Sequence, residues 1–117
     1  MLTPEVDNVL LKGQLAPASG SLNLGGHARR LKFFVIWGDS SNGAVQIEEA
    51  YVSQGPDKTV NAYTGAWAPI GAPFASPTNT PQQQTLTVVQ QPFSAIRARV
   101  TTTVDGTTGV TVRVLGN

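Results

Sequence analysis

Residues 93–115 read F-S-A-I-R-A-R-V-T-T-T-V-D-G-T-T-G-V-T-V-R-V-L. Ile96, Ala98, Val100, Thr102 and Val104 recur at period two on one side, and Arg97, Arg99, Thr101 and Thr103 on the other. Beyond Asp105 and Gly106, Val110, Val112 and Val114 alternate with Thr111, Arg113 and Leu115. Alternation at period two places successive side chains on opposite faces of a strand. The stretch therefore predicts two strands, each with an apolar and a wet face, paired as an antiparallel hairpin.

The same pattern recurs upstream. Residues 9–15 form a first strand candidate in which Gly13 marks a weak point or a bulge. Residues 21–24 form a short one after the A-P-A-S-G turn. Residues 28–37 are the strongest central strand, with Leu31, Phe33, Val35 and Trp37 on one face and Lys32, Phe34 and Ile36 on the other. Apolar groups on both faces predict cover on both sides for part of it. G-D-S-S-N-G at 38–43 reads as a hairpin loop, because Asn42-Gly43 tolerates positive φ. Residues 44–53 return, with Val45, Ile47 and Tyr51 inward and Gln46 and Glu48 outward. Glu49 falls inward on this count, which predicts a bulge or a place near the sheet edge.

A polar connection spans 54–65, and a short strand with Trp67 spans 66–70. The loop at 71–83 is stiffened by Pro73, Pro77 and Pro81. A further strand is expected at 84–89. No helical period occurs anywhere. The expectation is an all-β, single-domain antiparallel β-sandwich of jelly-roll or Greek-key type with about eight strands. Residues 9–117 form this domain. Residues 1–8, with Pro4 and two acids, read as an extended N-terminal arm.

Composition narrows the function classes. The chain has 117 residues, enough to bury a core without staples, and it has no cysteine, which excludes disulfides and thiolate metal sites. Charged residues make up only 13% and the net charge is +1, so neither nucleic acid nor a membrane surface is an electrostatically favoured partner. The longest apolar run, 33–37, is far too short to span a bilayer. The N-terminus lacks a basic region followed by an apolar core, so synthesis in a cytoplasm without a signal peptide is expected.

The inventory offers little for catalysis. His27 is the lone histidine and has no companion for a metal site. Glu48 and Glu49 are neighbours on a strand, so they point to opposite faces and cannot share one substrate as acid and base. Asp105-Gly106 lacks the alternating ligands of a calcium loop, and Gly25-Gly26 lacks the helix of a phosphate cradle. No cofactor, metal or catalytic residue is assigned. Trp37 and Tyr51 read as core. Tyr63 and Trp67 flank a short loop and are candidate sugar-stacking aromatics. Arg97, Arg99 and Arg113 are expected to line one sheet face, as a solvated surface or as contacts to an acidic partner. Ile70 and Phe74, beside the prolines, are candidates for a stiff apolar contact patch.

The order of segments carries a resemblance. A strand ending L-G-G precedes R-L-K-F-F-V-I-W (30–37), then G-A-V-Q-I-E-E (43–49), W-x-x-I-G (67–71), P-F-S-A-I-R-A-R-V-T (92–101) and D-G-x-x-G-V-T-V-R-V (105–114). This layout resembles small β-sandwich structural proteins of tailed-phage virions, most of all capsid cement or decoration proteins. Where related sheets carry D-G-G, this chain has Q-G-P-D-K at 54–58. The resemblance implies a non-enzymatic protein on the capsid exterior that binds and stabilises the assembled head. Its partner would be the major capsid protein, and it would act as a homo-oligomer, dimer or trimer. The alternative it leaves is a carbohydrate- or receptor-binding module of a phage tail, working through Tyr63 and Trp67.

Overall fold

The alternation read in residues 93–115 survives in three dimensions, but its two strands do not pair with each other. A computed structural model describes residues 6–23, 28–50, 67–77, 82–92 and 95–117. In these the chain forms β1 (Val6–Gln14), β2 (Ser19–Asn23), β3 (Ala28–Trp37), β4 (Ala44–Ala50), β5 (Ala68–Pro69), β6 (Phe74–Ala75), β7 (Gln82–Pro92), β8 (Ala95–Thr102) and β9 (Val110–Gly116). No helix occurs among the described residues.

The pairings are nested. β1 pairs β9, β2 pairs β8, β3 pairs β7, and β4 pairs the short β5 and β6, all antiparallel. A long two-stranded ribbon is thus rolled up, and rolling adds the contacts of β9 with β3 and of β8 with β4. The result is a first sheet in the order β1-β9-β3-β7 and a second in the order β2-β8-β4-β5. A four-stranded and a five-stranded layer joined this way, with β6 also pairing β4, are a jelly roll, which resolves the choice left open with a Greek-key sandwich.

Two expected hairpins are therefore corrected. β8 and β9 lie in opposite sheets, and so do β3 and β4. The segments 38–43 and 103–109 are crossings between layers, not hairpin connections within one sheet. Packed sheets stand about 10 Å apart, and a tight hairpin turn cannot cross that gap. The arginines move with the strands: Arg97 and Arg99 lie on the second sheet and Arg113 on the first, so they do not share a face.

Between the sheets sit Leu31, Phe33, Val35, Trp37, Val45, Ile47, Ile96, Ala98, Val100, Val110, Val112 and Val114, all buried. Each of the Val, Leu, Ile and Phe side chains among them contributes roughly 1.5–3 kcal/mol by leaving water. Trp37 keeps its indole N–H satisfied by donating to Gln84 Oε1 at 2.7 Å. Thr102, expected inward, is exposed. The register of β8 on β4 slips between Ala44 and Val45, which places one extra β8 residue there and turns Thr102 outward. Val104 is buried again beyond it. Glu49 keeps its inward parity without a bulge, because the register runs unbroken from Val45 to Ala50.

Other boundaries shift for physical reasons. β1 starts at Val6, so residues 6–8, read as part of the arm, pair with β9 and bury Val6 in the core. Gly13 adopts φ 58 where β1 slips against β9, as a bulge glycine does. β6 interrupts the Pro-rich loop, and β7 runs well past the six residues expected of it. β3 is covered on one face only: Lys32 is exposed, Phe34 is half-buried and Ile36 is 38% exposed. The turn at 24–26, His27, Tyr51, the connection at 54–65 and Tyr63 lie outside the described residues, as do residues 1–5 of the arm.

Candidate functional site

One end of the sandwich is closed by the two crossing loops. Asp39, after β3, accepts hydrogen bonds from the backbone N–H groups of Thr107 (3.0 Å) and Thr108 (2.9 Å) and from the Thr107 hydroxyl (2.8 Å). Asp105, after β8, accepts from the N–H groups of Ser41 (2.6 Å) and Asn42 (2.9 Å) and from the Ser41 hydroxyl (2.6 Å). Donors aimed at a carboxylate favour its charged form. The Thr108 N–H, then the Thr107 hydroxyl and N–H, hold Asp39 well below the ordinary carboxylate range. The Ser41 hydroxyl, then the Asn42 and Ser41 N–H groups, lower Asp105 in the same way. Every one of these donors belongs to the opposite loop, so the arrangement is a structural clasp.

A second cluster lies on the outer face of the second sheet. β4 and β8 are in register with Glu48 opposite Arg97, one step from Arg99 opposite Gln46. Glu48 Oε1 accepts from Arg97 Nε (2.7 Å) and Arg99 Nε (3.0 Å), and Oε2 accepts from Arg99 Nη2 (3.3 Å). Trp67 stacks on the Arg97 guanidinium at 4.4 Å. Burial resists the charge on Glu48 most strongly, but the Arg99 and Arg97 hydrogen bonds together outweigh it and lower the carboxyl's pKa. The Glu48 bond in turn raises Arg99. Glu48 is only 5% exposed although it points away from the core, because the two arginines roof it. The arginines expected to meet an acidic partner already share an internal one.

The third arrangement is the outer face of the first sheet. The register sets Val9 beside Arg113 and Arg113 beside Phe34, which faces Thr85. One row away, Asp7, Leu115, Lys32 and Thr87 stand in line, and Ile36 lies between Thr111 and Gln83 on the other side. Val9 is 44% exposed and Ile36 38%, and Phe34 and Leu115 are half-buried. Lys32 lies over the Phe34 ring at 5.4 Å, and Arg113 donates to Asp7 at 2.7 Å. With exposed Arg30 on β3 and Lys12 on β1, this face presents four cations against Asp7 alone among the described residues. It is broad, cationic and partly apolar.

Ile70 and Phe74 face the other way from the expected contact patch. Both are half-buried and pack against the core, Ile70 with its N–H bonded to the Ile47 carbonyl and Phe74 in register with Val45. They close the side of the sandwich. Trp67 is half-buried, with one ring face occupied by Arg97. Among the described residues no three metal-ligating side chains come together. Sequence reading missed the Glu48 centre and the Asp39 contact, since both depend on partners remote in sequence. Phe34 and Ile36 mark the apolar outer face of β3 in the sequence, but they lie half-buried and exposed and not under a covering layer. Compared with known proteins, the chain matches no family model, no curated protein and no solved structure.

Proposed function

We propose that the protein is a non-catalytic structural component of a tailed-phage virion, a decoration protein that binds the major capsid protein on the outside of the assembled head. The observation that carries this reading is the outer face of β1-β9-β3-β7. Val9, Phe34, Ile36 and Leu115 offer apolar contact area there, and Lys12, Arg30, Lys32 and Arg113 surround it. A surface of this kind suits a flat acidic partner: charge complementarity guides the encounter, and desolvated apolar groups hold the complex. The strand motifs that resemble virion cement proteins point the same way.

Sedimentation with assembled, undecorated shells of the phage that encodes the protein tests the reading. The wild type should pellet with shells, and a Lys32→Glu, Arg113→Glu double variant should remain in the supernatant with its fold intact. Wild-type protein that stays in the supernatant and binds cell-surface glycans instead overturns it in favour of a tail module.

A further inference from the structure

The sandwich has four sheet edges, and three are guarded. β1 carries Asp7 and Lys12 and slips register twice against β9. β2 is five residues long. β5 and β6, beyond β4, are two residues each, and β5 contains Pro69. Charge, bulges, brevity and proline are the devices that keep sheet edges from pairing with another chain. The fourth edge, β7, has 11 residues and no charged side chain. Its one slip against β3 lies opposite Arg29 and Leu31, so the pairing from Gln82 to Val88 is unbroken. The 71–77 segment meets β7 through a side chain, Gln84 Nε2 donating to the Ala75 carbonyl at 3.4 Å. Among the described residues nothing pairs with the outer edge of the β7 backbone.

We propose that β7 is a dimerisation strand. Two copies pair antiparallel along Gln82–Val88 about a two-fold axis at Thr85 and join their first sheets into one eight-stranded sheet. A second copy suits this edge because the strand is compatible with itself. Thr85 meets Thr85 at the axis and Gln83 meets Thr87 on either side, so hydroxyls and amides face one another and no like charges meet. A two-fold axis also closes the assembly, leaving no free β7 edge for further growth. Seven residues give about 24 Å of shared edge. Pairing sets two cationic outer faces side by side on one surface, which adds avidity to any contact that face makes. The pairing itself rests on the edge alone, whatever the face binds.

Sedimentation equilibrium and hydrogen exchange of the isolated protein test this without any shell. At about 100 μM, above the micromolar dissociation constants that small interfaces support, the mass should be twice 12.3 kDa. Amides in 82–88 should then exchange more slowly than in dilute protein. Thr85→Lys sets two lysines across the axis from an exposed position, and should raise the dissociation constant about tenfold or more. Its melting curve, measured dilute, should match the wild type. A wild-type monomer at that concentration overturns the proposal. So does a dimer in which Thr85→Lys changes nothing and the 82–88 amides stay unprotected.

Discussion

Asp39 and Asp105 hold each other's loops: each carboxylate accepts backbone N–H groups from the segment that carries the other. These segments are two of the crossings between sheets, β3 to β4 and β8 to β9. The clasp thus ties these two crossings to each other, using charged acceptors in place of apolar packing.

The clasp and Glu48 together set the acid response. In the unfolded chain the carboxyls titrate near 3.8 for aspartate and 4.5 for glutamate, and in the folded chain all three are lowered. Below about pH 5 the unfolded chain therefore binds more protons, and stability declines as pH falls toward the folded-state values. Above that window their contribution is complete. Urea midpoints across pH 2–7 should show this acid-side fall, and Asp39→Asn with Asp105→Asn should flatten it.

Removing Glu48 leaves Arg97 and Arg99 adjacent without their shared carboxylate. Glu48→Ala should cost about 1–2 kcal/mol, the low end for a broken ion pair because both arginines still reach water. Chemical denaturation checks this. An Arg99→Ala change on the same background should then cost less than it does in the wild type.

Val100 and Val9 separate core from face. Val100→Ala, at a fully buried position of β8, should cost about 1–3 kcal/mol. Val9→Ala, on the exposed outer face, should stay within about 0.5 kcal/mol. Val9→Ala should nevertheless weaken shell binding, which sedimentation with shells measures.

Phe74 packs against the core, so Phe74→Asp should act on stability before it acts on binding. Burying a carboxylate beside Val45 should cost about 2 kcal/mol or more, and thermal melting should show it. A variant that melts with the wild type yet fails to bind shells would return Phe74 to the contact surface.

Local periodicity disclosed the strands and most of their inward faces, because parity at period two is a property of neighbouring residues. It put Ile96, Ala98, Val100, Val110, Val112 and Val114 correctly inside. Pairing was not legible, because parity is the same whether β8 meets β9 beside it or across the core. That single ambiguity explains the misplaced arginine face, since Arg97 and Arg113 share a face only if their strands share a sheet. The Thr102 error has a local cause: one bulged residue turns Thr102 outward, and the inward face resumes at Val104. Glu48 read correctly as outward, but its burial depends on arginines 49 and 51 residues away. Asp39 likewise needed the jelly-roll crossing to meet Thr107, 68 residues on.

Electron cryomicroscopy of assembled shells saturated with the protein shows whether this face docks on the capsid. Ordered density is expected outside the capsid, with the outer face of β1-β9-β3-β7 against the major capsid protein and Lys32 and Arg113 near its carboxylates. Shells that bind no protein, or bound protein whose β1-β9-β3-β7 face is turned to solvent, would rule out this docking.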